Sequence, residues 1–351
     1  MRPEAPDARA PPVLLREGRL WITSDAGWRC WHGGGVPRPR RLPDALGSSF
    51  AVRDAQALGV SAGRLRGSDL LRPYSGLRTR RSGSTPERDE DPFAAQRRIR
   101  VEHALAYAPR LRPGQYFSHE TAAALWGGPL PIAREDATVG VHVSTLGDGP
   151  LVRAAGVVRH RGDPRLVRVR TDLGLPVASP ASTWTQMGHL PFFALVALGD
   201  HFCRAWRPGV GRPHVGKPQL ATVAELRANI GAGRRLGAPM LREAIEWIRE
   251  DSWSPRESEL RCLIRAAGLP EPQLNVDLFD GAGFLGCVDL VYPARKVAIE
   301  YLGRVHANSW GADVERLARL RAAGWTVIEV TAELLADPAE LLGRIRRALG
   351  L

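Results

Sequence analysis

From position 286 to 301 the chain reads GCVDLVYPARKVAIEY, two alternating apolar stretches joined through a proline-containing turn, with one acid in each. A turn centred between Ala294 and Arg295 pairs Tyr292 with Val297, and the same register sets Asp289 opposite Glu300 on one face. Opposed residues in an antiparallel pair have Cβ atoms about 5 Å apart. Both carboxylates can then reach one hard cation such as Mg²⁺ through oxygen ligands. Like charges that close repel, so the pair either binds a cation, shares a proton or turns one acid to water.

The pattern around this hairpin is regular. Ser254, Pro255 and Glu257 supply an N-cap, a proline at the first helical position and an acid at the third, followed by Leu260, Leu263, Ile264 and Ala267 on one face and Gly268 at the stop. After the hairpin, residues 313–323 read as a helix ended by Gly324, and residues 325–330 as a third strand. A helix between two strands of one sheet implies a parallel, right-handed crossover. Asp337 and Pro338 open a closing helix with Leu341, Leu342, Ile345 and Leu349 on its buried stripe. The expected order over residues 251–351 is α-β-β-α-β-α.

The rest of the 351 residues divides less sharply. Residues 1–47 are rich in Pro, Gly and Arg, with a short strand pair near Leu20–Ile22 and Trp28–Trp31. Within 48–79, a helix from Phe50, a stop at Gly59 and a second helix capped by Ser61 fit a helix-turn-helix with a small β-wing, or equally a plain helical hairpin. The first reading puts Arg64, Arg66, Arg72 and Arg78 near a phosphate backbone. Residues 80–92 hold almost no apolar side chains and read as a flexible linker. Residues 93–250 mix helices with short strands as an α/β or α+β unit, with strands near 139–143 and 157–161 and an apolar helix over 192–203. Ser118, His119 and Glu120 resemble a nucleophile cluster, but consecutive side chains diverge, and a capped helix start is the expected role. The overall class is multi-domain α/β.

Charge and cysteines narrow the function. The net charge is +12, yet residues 252–351 hold 12 Lys and Arg against 13 Asp and Glu, so the positive excess lies wholly in the first 251 residues. Such a field attracts phosphate backbones without reading sequence, although a solvated arginine-rich surface needs no partner. Cys30, Cys203, Cys262 and Cys287 form no C-x-x-C pair, which argues against a zinc site and against a disulfide framework. With no apolar leader at the N-terminus and no run of about 18 apolar residues, a cytoplasmic protein without a membrane partner is expected.

The order of elements, with acids at Glu257, Asp289 and Glu300, resembles the restriction-endonuclease-like PD-(D/E)XK superfamily. It is most similar to a family related to very-short-patch-repair (Vsr) endonucleases. The resemblance is carried over about residues 252–351 by Ser254, Pro255, Glu257, Leu260 and Arg261, by Gly268 to Pro272, by Val288 to Pro293, by Ala298 to Tyr301 with Gly303 and His306, and by Trp310, Asp313, Arg316, Gly324 and Trp325. More weakly, residues 55–78 and 117–126 resemble N-terminal parts of AbiEi-like antitoxins, in which a winged helix precedes a larger module. The first likeness implies Mg²⁺ (or Mn²⁺) held by Asp289 and Glu300 with help from Glu257, phosphodiester hydrolysis, and His306 as general acid or base. The second implies a non-catalytic DNA-binding regulator with a toxin or other protein partner. A protein-interaction scaffold is a third possibility.

One departure bears on the choice. Where the superfamily places a Lys two residues after the second acid, and the Vsr-related family an Asp, this chain has Leu302. Lys296 lies four strand residues from Glu300, about 13 Å, too far to substitute. Each acid also has a plainer role open to it: Glu257 as part of a capping box, Asp289 and Glu300 as solvated strand acids, Asp313 as a first-turn acid, and His306 as a structural histidine.

Overall fold

The computed structural model describes residues 40–81, 90–132, 139–171, 174–281, 283–303 and 310–351, together with three strands nearer the N-terminus. Those strands, β1 (Val13–Arg16), β2 (Arg19–Ser24) and β3 (Gly27–Cys30), form an antiparallel meander in which Trp21 stands opposite Cys30. The expected strand pair is its second hairpin.

A small unit follows: β4 (Ser49–Ala51), α1 (Val52–Ala57), a 3-10 turn at Arg64–Arg66, β5 (Leu70–Leu71) and β6 (Leu77–Arg80), with β6 central in a three-stranded sheet. Its core is Leu42, Leu46, Phe50, Ala55, Leu65 and Leu70. The β-wing is present, but the second helix is a single 3-10 turn of three residues, because Gly63 and Gly67 flank it and neither favours helix propagation. An element that short cannot lie along a major groove as a recognition helix does.

The middle region begins with α2 (Pro92–Tyr107), capped by Asp91, and continues through β7 (Gln115–Phe117), α3 (His119–Leu125), β8 (Val141–Leu146), β9 (Val157–Gly162), β10 (Val169–Arg170) and β11 (Val177–Ala178). Helices α4 (Pro180–Gln186), α5 (Phe192–Phe202), α6 (Val223–Gly231) and α7 (Ala238–Ala244) complete it. The sheet is mixed, in the order β10-β11-β7-β8-β9, with β8 and β9 parallel. Its apolar face and the helices enclose one core built on Tyr107, Phe117, Trp184, Met187, Leu195 and Phe202. No described helix is long and apolar enough to cross a membrane.

The C-terminal unit contains α8 (Pro255–Ala266), β12 (Gln273–Asp280), β13 (Gly283–Tyr292), β14 (Val297–Tyr301), α9 (Trp310–Ala322), β15 (Thr326–Val330), α10 (Ala332–Leu335) and α11 (Pro338–Leu349). The hairpin register is the expected one, Tyr292 with Val297 and Leu290 with Ile299. The crossover through α9 makes β14 and β15 parallel, also as expected. The sheet has one strand more than the α-β-β-α-β-α order. Leu274, Val276 and Leu278 alternate with polar residues, and β12 pairs antiparallel with β13.

Helix α8 joins the two large units. Leu260 and Ile264 enter the C-terminal core, whereas Cys262 belongs to the middle core. On the same side as Cys262, the Arg261 guanidinium is fully buried and donates to Asp200 of α5 at 3.0 Å and to Glu271 at 3.0 Å. Ser258 donates to the same Asp200 at 2.7 Å. The change of composition near residue 250 is therefore not a gap in packing.

Candidate functional site

The three acids of the C-terminal unit converge. Glu257 is placed by the start of α8, where the Ser254 hydroxyl accepts from the Glu257 N–H at 3.1 Å. Its side chain does not close a capping box on Ser254. Instead Oε2 accepts from the Trp253 N–H at 2.8 Å and from the Asn275 side-chain amide at 2.7 Å. Asn275 has a φ of 50°, a left-handed conformation that asparagine tolerates better than most residues. Asp289 and Glu300 stand at the next position beyond the last paired residues of β13 and β14, and Asp289 Oδ2 accepts from the Tyr301 N–H at 2.9 Å.

Glu300 is the most committed of the three. Arg316, from α9, donates to its Oε1 at 2.6 Å and to its Oε2 at 3.3 Å, and also reaches the Cys287 carbonyl at 3.3 Å and Asp313 at 3.4 Å. Gly286 gives the arginine room to cross the sheet: a Cβ there would lie 2.8 Å from Arg316 Cδ. Burial pushes all three carboxyls above their ordinary range. For Asp289 the neighbouring Glu300 and Glu257 charges add to burial, and for Glu300 the Arg316 guanidinium works against it.

These residues do not fit Mg²⁺ as they are arranged. The donor set is oxygen, the right kind for a hard cation. Both oxygens of Glu300, however, are bonded to a guanidinium, one oxygen of Asp289 and one of Glu257 are bonded to N–H donors, and Leu302, two residues after Glu300, carries no ligand atom. Lys296 is not a substitute, since its ammonium donates to the Ala323 carbonyl at the end of α9. His306 lies outside the described residues.

The arginines expected at a phosphate backbone fall into two groups. Arg64 forms a paired contact with Asp69 at 2.9 and 2.6 Å, and Arg78 donates to the carbonyls of Leu65 and Leu77, each at 2.7 Å. Both hold the small unit together. Arg66 and Arg72 are exposed. A stronger cationic feature lies on the middle sheet, where Arg110, Arg112, Arg153, Arg159 and Arg161 line a cleft of about 640 Å³ with no acid among its described lining residues, the Asp148 carboxylate standing 3.9 Å from Arg161. Its sequence signal is the alternation in β9, where Arg159 and Arg161 flank His160 and so point to the opposite face.

A second polar cluster was marked in the sequence only in part, by Ser118, His119 and Glu120. Ser118 does not cap α3 with its side chain; its hydroxyl accepts from Ser144 at 2.8 Å and meets His119 Nδ1 at 3.0 Å. Ser118 is fully buried, which removes it as a nucleophile for an outside substrate. His119, Glu120, His142 and His160 nevertheless come together here, contrary to the expectation that the side chains around position 119 diverge.

No family model matches the chain, and no solved structure matches it significantly. Two proteins of Mycobacterium tuberculosis are similar in sequence: "Uncharacterized protein Rv2248" of strain H37Rv and "Uncharacterized protein MT2308" of strain CDC 1551. Each is 29% identical over 238 residues, which cover 65% of this chain and 79% of the relative. Neither name states an activity.

Proposed function

We propose that this is a DNA-associated protein whose C-terminal unit has the architecture of a Vsr-type endonuclease and does not cut, Arg316 standing where catalysis needs a divalent cation. The observation that carries the reading is the two-pronged contact of Arg316 with Glu300. A guanidinium in that position supplies the positive charge that the acids require, and it cannot polarise a water as a metal does. Leu302 agrees, being unable to ligate or to move a proton.

Support for the DNA half comes from the charge distribution and from the arginine cleft. Five arginines around one cleft, with Asp148 near Arg161 alone among them, suit a phosphate chain better than a neutral ligand. The test uses a short fluorescent DNA duplex with the full chain, read by anisotropy across salt concentration and by gel in the presence of Mg²⁺ or Mn²⁺. The expected result is salt-sensitive binding without cleavage, with Arg153→Ala and Arg159→Ala each reducing the salt slope by about 1. Absence of binding at low salt defeats the DNA half. Cleavage that needs Mg²⁺ and is lost in Asp289→Asn defeats the other half and restores the metal-dependent endonuclease.

A further inference from the structure

We propose that His119, His142 and His160 form a binding site for a transition-metal dication of the Zn²⁺ class, with Glu120 and His189 as its supporting pair. The three imidazoles come from three separate elements: the start of α3, the start of β8 and the edge strand β9. Parallel pairing sets His142 beside Val158 and Ser144 beside His160. His142 and His160 therefore project from one face of the sheet, and the β7 to α3 junction carries His119 over them. One ring nitrogen from each lies within 4.8 Å of the others, and His142 Nδ1 is 3.0 Å from His160 Nε2. Two ligand nitrogens on a tetrahedral zinc are about 3.4 Å apart, so small rotations of the rings would close the set. The rings of His119 and His160 stack with centroids 3.7 Å apart.

The surroundings distinguish this cluster from histidines that merely fill space. Glu120 Oε2 is buried with no hydrogen-bond donor and stands 3.1 Å from His142 Nδ1, while its Oε1 contacts His189 Nε2 at 2.8 Å. Glu120 Oε2 faces the same His142 nitrogen that His160 Nε2 faces, so this carboxylate borders the cation position itself and adds negative charge to it. His119 has a φ of 50°, an uncommon conformation for histidine, and it is what turns the ring onto the cluster. All three residues are half-buried. Three imidazoles with an open fourth position match Zn²⁺ and its softer neighbours rather than Mg²⁺ or Ca²⁺, which prefer oxygen.

The test strips the full chain, without a histidine tag, with chelator, then dialyses it against Zn²⁺ alone and measures metal per chain. One equivalent is expected, lost in His142→Gln and His160→Gln and retained in His103→Gln and His214→Gln. Glu120→Gln should weaken binding by about 10–100-fold. Because a variant could fail through misfolding, the unaltered chain is also loaded with Co²⁺. Its visible and X-ray absorption spectra should report low-coordinate cobalt with three imidazole nitrogens. Zinc that stays bound when two of the three histidines are replaced, cobalt with an all-oxygen shell, or no stoichiometric metal overturns the proposal. The result is independent of whether the protein binds or cuts DNA.

Discussion

The acid cluster of the C-terminal sheet and the histidine cluster of the middle sheet settle their polarity in opposite ways. In the first, three buried carboxyls lie together and the chain supplies a cation covalently, through the Arg316 guanidinium paired with Glu300. In the second, three imidazoles face one another beside the buried Glu120 Oε2, and the arrangement suits a cation from outside. The difference teaches that a metal-site pattern in the sequence and a metal-ready geometry in the fold need not coincide.

The largest expected effect concerns what joins the two regions. Asp200→Ala leaves the fully buried Arg261 without its main partner, and breaking such a pair costs about 3–5 kcal/mol. Denaturant unfolding should show the loss, and because α8 contributes to both cores, far-ultraviolet and tryptophan signals should move together. Two separated transitions, with only one shifted, would mean that the regions are energetically independent.

Metal should then tell the regions apart. Zn²⁺ at about 100 times its dissociation constant should stabilise the native chain by about 2.7 kcal/mol, an increment removed by chelator and absent in His160→Gln. Mg²⁺ at millimolar concentration should leave the melting temperature unchanged. A smaller loss, of about 1.5–3 kcal/mol, is expected for Arg316→Ala near neutral pH, since Glu300 then stays buried without its charged donor. With the guanidinium gone, the Glu300 carboxyl rises further above its unfolded value. A raised acid contributes stability that is present at low pH and lost as pH climbs through the folded pKa. Melts of this variant should therefore fall from acid toward neutral pH more steeply than those of the native chain.

The smallest effect is a gain. Asp289 is raised well above its ordinary range by burial and by Glu300 and Glu257, so ionising it opposes folding. In chelator, Asp289→Asn should stabilise by about 1 kcal/mol, with the advantage appearing as pH rises through the folded pKa of Asp289. A thermal melt series across pH checks it, and an advantage confined to acid pH would show the sign to be wrong.

The acid cluster was legible because its geometry is local. Ten residues lie between Asp289 and Glu300, one turn is among them, and alternation fixes which face each occupies. The partner that changes its meaning was not legible, since nothing in the spacing of Arg316 says that α9 brings it across β13 at Gly286. The histidine cluster depends on a parallel pairing of β8 with β9 and on the backbone turn at His119. Neither is encoded in adjacent residues, and only the alternation of His142 with Ser144 in β8 hinted at a polar face. The 3-10 turn at Arg64–Arg66 shows the converse, a motif legible in outline whose second helix is too short for its expected role.

The contrast is tested most directly by equilibrium dialysis of the stripped full chain against Zn²⁺ and Mg²⁺ side by side, with Asp289→Asn and His160→Gln in parallel. One equivalent of Zn²⁺ that is kept in Asp289→Asn and lost in His160→Gln, with no stoichiometric Mg²⁺, is the predicted result. Stoichiometric Mg²⁺ that disappears in Asp289→Asn, with zinc indifferent to His160, would contradict it.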